Sequence, residues 1–129
     1  MQELDGTGTL IAIVDDDLSV RTALNNLLNS MGYRTVLFES AEAVLQSDLL
    51  SAIHFMVLDV KLKGISGIEL FEQLRADGVI IPTIFISGHA DLNIQLRIAR
   101  AGALSFLPKP VDVEILLTMI EHRVKASDD

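Results

Sequence analysis

The chain has 129 residues, half of them apolar, no cysteine, and ten basic against eighteen acidic side chains for a net charge of −8. That length suits one domain able to bury about two-thirds of its unfolded surface, and the apolar content excludes a disordered chain. The acidic balance opposes binding to nucleic-acid phosphates, and no apolar run approaches the ~20 residues of a membrane span.

Met1 to Thr9 is polar and reads as a frayed lead-in, without the basic and apolar regions of a secretory leader. Together with the missing cysteines this predicts a cytoplasmic protein, and the charge and run lengths predict no direct nucleic-acid contact and no membrane contact. Leu10 to Val14 is a buried strand ending in Asp15-Asp16-Asp17. Val20, Ala23, Leu24, Leu27, Leu28 and Met31 then fall on one helical stripe, which Gly32 terminates. Thr35 to Phe38 is a short strand, Ser40 a cap, and Ala41, Val44 and Leu45 the inner face of a short helix.

The run Phe55 to Leu58 is a third strand stopping at Asp59. Gly67 opens a helix with Ile68, Leu70, Phe71 and Leu74 inward, ending near Gly78. Pro82 to Ile86 is a fourth strand, with proline acceptable at its first position. Asp91 to Ala101 is a helix ended by Gly102, whose Leu92, Ile94, Leu96 and Ile98 cover more than one stripe. Leu104 to Leu107 is a fifth strand followed by Pro108-Lys109-Pro110. Val113, Leu116, Leu117, Ile120 and Val124 form the stripe of a last helix, and Lys125 to Asp129 is a polar tail.

Strand and helix alternate five times, which predicts an α/β fold with a doubly wound parallel sheet and helices on both faces. The flavodoxin-like strand order 2-1-3-4-5 suits a five-stranded chain of this size. The expected organisation is one domain over 1–129, with 1–9 and 125–129 as flexible tails. In that order strands one and three are neighbours, so Asp15, Asp16 and Asp59 lie side by side at the carboxyl edge, where open α/β sheets place ligands. Crowded carboxylates repel unless a cation sits among them, and Mg²⁺ prefers such hard oxygen donors. Acids after a strand also serve as turn formers and helix caps, so the acids alone do not decide between these roles. Ser87 ends strand four with a hydroxyl, Gly88 leaves room beside it, and Lys109 brings an ammonium after strand five. Acid pair, acid, hydroxyl and lysine on four strand ends form a phosphate- and metal-handling constellation.

Val14-Asp15-Asp16-Asp17, Asp59 with Gly67, Ile86-Ser87-Gly88-His89, Ala101-Gly102-Ala103 and Phe106-Leu107-Pro108-Lys109-Pro110, in this order and spacing, resemble the receiver domain of two-component response regulators. The last two stretches look most like receivers that precede LuxR-type output domains. The resemblance covers essentially the whole chain. It implies that Asp59 accepts a phosphoryl group from a sensor histidine kinase or phosphotransfer protein. It also implies that Asp15, Asp16, Asp59 and the backbone carbonyl of Lys61 hold Mg²⁺, with Mn²⁺ as the alternative. Ser87, Gly88 and Lys109 would bind the phosphoryl group, and a cis Lys109-Pro110 bond would point the lysine into the site. Ser87 and Phe106 would form the switch, with an ordinary strand residue as the other reading of Phe106. His89 would modulate phosphoryl loss, or is a solvated loop residue. Activity would be limited to Mg²⁺-dependent self-phosphorylation and dephosphorylation. The output surface would be helix four, strand five and helix five, a partner- or homodimer-binding face on which Leu92, Ile94, Ile98, Ile115 and Met119 are either exposed or core.

The chain departs from the family in three places. Leu62-Lys63 stands where Met-Pro is common, which makes the loop after Asp59 less stiff. Ser87 replaces the commoner threonine and keeps the hydroxyl. His89 is the third departure, while His54 and His122 read as structural or surface residues. Among rivals, an FMN-binding electron carrier conflicts with three acids in the first loop, and flavin absorbance would revive it. An aspartyl phosphohydrolase conflicts with Lys61, where a second acid is wanted, and would turn over phosphate esters. A receiver-like interaction module that is never phosphorylated is the serious alternative.

Overall fold

The computed structural model of the chain describes residues 8–128, with side chains described through Lys125. Residues 1–7 of the expected lead-in lie outside this range. The described chain alternates β1 (Leu10–Val14), α1 (Leu18–Ser30), β2 (Arg34–Phe38), α2 (Ala41–Leu45), β3 (Phe55–Asp59), α3 (Gly67–Ala76), β4 (Thr83–Ser87), α4 (Leu92–Ala101), β5 (Ser105–Pro108) and α5 (Val113–Asp128). The five strands form one parallel sheet in the order β2-β1-β3-β4-β5, as expected.

Strand alternation divides the core into two layers. Ala12, Val14, Met56, Leu58 and Phe85 face α2, α3 and α4 and pack with Val44, Leu70, Phe71 and Ile98. Ile11, Ile13, Phe55, Val57, Ile84 and Ile86 face the other way, onto Leu24 and Leu28 of α1 and Leu116 and Ile120 of α5. Because β1, β3 and β4 are buried on both faces, each carries an unbroken apolar stretch, Leu10–Val14, Phe55–Leu58 and Ile84–Ile86, rather than an alternating pattern.

Local chemistry sets the helix starts. Asp17, Ser40 and Asp91 cap α1, α2 and α4 through their side chains, and Ser66 with Glu69 forms a reciprocal capping box on α3. Gly67 is required for a different reason. A β-carbon at that position would overlap the backbone carbonyl of Asp59, so α3 can begin against the end of β3 only with glycine there.

Four expectations are corrected. Ala23 and Met31 are exposed, so the buried stripe of α1 narrows to Leu24 and Leu28 with Val20 and Leu27 half-buried. On α4 the apolar residues cover more than one stripe, as expected: Ile98 is buried and Ile94 half-buried, while Leu92 is 68% exposed and Leu96 also faces outward. Val113 is exposed on α5, whose buried residues among those described are Leu116 and Ile120. Lys125 to Asp128 continues α5 as its last turns rather than leaving it as a tail, and Thr9 joins the sheet edge by accepting a hydrogen bond from Arg34 N–H. Among the described residues, no helix is long and apolar enough to cross a membrane.

Candidate functional site

The site forms where β1, β3 and β5 end. Leu58 pairs with Val14 across the β1–β3 ladder, so Asp59 and Asp15 emerge next to each other. The strand hydrogen bonding extends one residue further on both sides: Asp15 N–H donates to Phe38 O at 3.1 Å, and Lys109 N–H donates to Ser87 O at 2.8 Å. Ile13, Val57 and Leu107 belong to the α1–α5 layer. Asp15, Asp59 and Lys109 come two residues later in each case, so the same alternation brings them together.

Lys109 Nζ lies 2.8 Å from Asp15 Oδ2 and 3.3 Å from Asp59 Oδ2. Asp15 is fully buried and Asp59 nearly so, while the Lys109 side chain is 22% exposed. The other oxygen of each acid is held by main chain: Asp17 N–H donates to Asp15 Oδ1 at 2.9 Å, and Lys61 N–H to Asp59 Oδ1 at 3.2 Å. Asp16 is exposed on the rim, and single oxygens of Asp15, Asp16 and Asp59 all lie within 4.8 Å of one another. Asp15 Oδ2 is buried and has the lysine as an ionic neighbour, but no partner in hydrogen-bond geometry.

One ammonium cannot neutralise two buried carboxylates. Burial and the Asp15 charge push the Asp59 carboxyl up to about 6, against the opposing pull of Lys109 and the Lys61 N–H. Burial pushes the Lys109 ammonium down, but its contacts with Asp15 and Asp59 outweigh that effect and its pKa rises. The residual negative charge, the under-satisfied buried oxygen and an all-oxygen donor set fit a hard divalent cation.

The remaining predicted residues surround this centre. Ser87 is buried at the end of β4, one residue past the Ile86 that pairs with Asp59, and its Oγ accepts His89 N–H at 3.1 Å. Gly88 and His89 are exposed, and nothing lies within 4 Å of a β-carbon built at Gly88. Phe106 is half-buried, pairs with Phe85 in the ladder and packs in the α2–α4 layer, the side to which alternation from Phe85 also assigns Ser87. The Lys109-Pro110 peptide is cis. Asp17 acts as the α1 cap rather than joining the acid cluster. Arg21, not singled out in the sequence, donates from Nη1 to the Asp15 carbonyl at 2.6 Å. Its partner is main chain, which leaves no sequence signature.

Fold and site together define a parallel α/β domain with an acidic, lysine-bridged centre at the carboxyl edge of its sheet, and comparison with known proteins gives its family. Residues 11–121 match the response regulator receiver domain, and the chain belongs to that family. It is 40% identical over 111 residues to nodulation protein W of Bradyrhizobium diazoefficiens, covering 85% of this chain and 49% of that protein. It is 35% identical over 120 residues to transcriptional regulatory protein FixJ of the same organism, covering 92% and 58%. Among solved structures, response regulator StyR aligns with TM-score 0.83 at 41% identity, covering 92% of this chain and 60% of that one. A receiver protein from Pseudoalteromonas atlantica aligns with TM-score 0.86 at 28% identity, covering 92% and 98%. The chain thus spans about half the length of the curated relatives it matches. It is a receiver domain of the two-component type, a class that works with histidine kinases or phosphotransfer proteins.

The electrostatics give a signed expectation for stability. The Asp59 carboxyl rises from an ordinary 3.8 to about 6 on folding. The folded state therefore holds the proton more tightly, so its stabilisation is complete below pH 3.8 and is lost as pH rises through about 6. Melting curves of the chelator-treated protein should show this decline between those values against the background of the other acids, and Asp59→Asn should remove its share of the slope. Added Mg²⁺ should reverse the trend, with affinity falling as pH drops through 6.

Proposed function

We propose that Asp59 is the phosphoacceptor, and that the centre built by Asp15, Asp16, Asp59 and Lys109 works as a Mg²⁺-dependent phosphoryl-transfer site. The observation that carries this reading is Lys109 Nζ bridging the two buried carboxylates of β1 and β3 at 2.8 and 3.3 Å. An oxygen of Asp59 attacks the phosphorus of a phosphohistidine. The new O–P bond forms as the P–N bond breaks, and the departing imidazole takes up a proton. Asp15, Asp16, Asp59 and the Lys61 carbonyl would hold the cation, with Mn²⁺ as a substitute. When bound, it supplies positive charge against the phosphoryl oxygens.

The chain's own groups do the remaining work. Lys109 exchanges its Asp59 contact for a phosphoryl oxygen while keeping Asp15. Ser87 already accepts the His89 N–H, so its hydroxyl proton can be donated to a second phosphoryl oxygen at a site beside the open Gly88. Movement of Ser87 would then be sensed by Phe106 through packing on the α4 side. His89, tied to Ser87 Oγ through its main chain, would modulate loss of the group. The α4–β5–α5 face would carry the output, including self-association. Leu92 and Ile115, at 68% and 45% exposure, are its apolar contacts, Ile94 and Met119 are half-buried, and Ile98 at 2% belongs to the core.

Incubation with acetyl phosphate should add one phosphoryl group per chain in Mg²⁺ and none with a chelator, read by intact mass. Absence of label in Mg²⁺, under conditions that label other receivers, would favour the silent interaction module.

A further inference from the structure

The loop that carries Lys61 joins Asp59 to α3, and its middle is braced from outside the site. Glu42, in the first turn of α2, is half-buried and reaches across to this loop, where its Oε2 accepts the Ile65 N–H at 3.2 Å. Gly64 takes φ +78°, and a β-carbon there would lie 2.5 Å from Glu42 Oε2 and 3.3 Å from its carboxyl carbon. The loop backbone is therefore pressed against this carboxylate. The other hydrogen bonds of the loop sit at its ends: Val60 N–H to Ile86 O at 3.0 Å, Lys61 N–H to Asp59 Oδ1 at 3.2 Å, Gly67 N–H to Val60 O at 2.9 Å, and Ser66 N–H to Glu69 Oε1 at 3.0 Å, while Leu62 anchors by burial alone. Between them Lys63 and Gly64 are exposed, and position 63 carries a flexible lysine rather than a ring-constrained residue.

We propose that Glu42 is a positioning residue for the phosphoacceptor loop, holding its backbone so that the Lys61 carbonyl and the Lys61 N–H on Asp59 keep their places. The inference rests on the function proposed above. It assigns to α2 a part in setting cation affinity, although α2 contributes no group to the centre itself. The hydrogen bond that the Ile65 N–H donates to the Glu42 side-chain oxygen restrains the loop at one point, and it needs an acceptor oxygen rather than a charge. In this chain it supplies stiffness that a proline at 63 would provide covalently.

Three variants separate a clamp from a charge or folding effect: Glu42→Ala, Glu42→Gln, and Glu42→Ala combined with Lys63→Pro. Amide exchange at Ile65, read by NMR on the chelator-treated protein, should speed up about tenfold or more in Glu42→Ala while the Leu58 amide in β3 keeps its protection. Mg²⁺ affinity by calorimetry should weaken about tenfold in the same variant, the size seen for other supporting contacts around metal sites. Glu42→Gln keeps an acceptor oxygen and should stay close to wild type in both measurements. The double variant should recover most of the cation affinity. Equal weakening by Ala and Gln, or unchanged affinity in Glu42→Ala despite faster Ile65 exchange, would overturn the clamp alone. A wild type that binds no Mg²⁺ would overturn the proposed function and the clamp with it.

Discussion

Lys109→Ala is expected to cost the metal-free protein on the order of 2–4 kcal/mol at pH 8, because it strands two buried carboxylates against each other. In a domain of this size that is a fall of roughly 10 °C in Tm. Asp15 Oδ2 and Asp59 Oδ2 both depend on this ammonium, at 2.8 and 3.3 Å, and among the described residues no other lysine or arginine forms an ion pair with them. The cost should shrink at pH 5, where Asp59 has taken its proton, and Mg²⁺ at pH 8 should restore part of the loss by replacing the missing charge. Phosphorylation should slow by about 10²-fold or more, since a positioned cation on a developing phosphoryl charge is of that worth. Lys109→Met, which keeps the aliphatic stem, separates lost charge from lost packing. A melting point unchanged at pH 8 would contradict the electrostatic reading.

Asp59→Asn should behave oppositely in stability and more completely in function. It removes the carboxylate that burial and Asp15 make costly, so the metal-free variant should be more stable at pH 8 by on the order of 1–2 kcal/mol. Lys109 then serves Asp15 alone. The amide cannot form an acyl phosphate, and uptake from acetyl phosphate should drop to zero. A variant less stable than wild type in chelator would mean that the Asp59–Lys109 contact outweighs the repulsion.

Much of this architecture is legible in the residues because the sheet is buried on both faces. Leu10–Val14 and Phe55–Leu58 are apolar runs that suit a central strand, and each is followed at once by an acid, Asp15 and Asp59. The alternation of strands and helices then limits the topology to few choices, and the observed order places Asp15 and Asp59 together. The helix faces are less legible. Leu92, Ile94, Leu96 and Ile98 are spaced by two, a pattern that does not select a helical face, and only packing against α3 and β5 selects Ile98 and half-buries Ile94. The Ser66-Gly-Ile-Glu69 capping box is written in the sequence, but the more conspicuous Gly67 obscures it. Arg21 on the Asp15 carbonyl and Glu42 on the Ile65 N–H were out of reach, because each pairs a side chain with main chain from another element.

The most direct test is to locate the label. Protein treated with acetyl phosphate and Mg²⁺ can be reduced with borohydride, which converts an aspartyl phosphate to homoserine, and then digested and sequenced by mass spectrometry. Homoserine at position 59 alone, lost when Mg²⁺ is withheld, is the predicted result. Homoserine at 15 or 16, or label on no aspartate, would contradict the assignment of Asp59 as the acceptor.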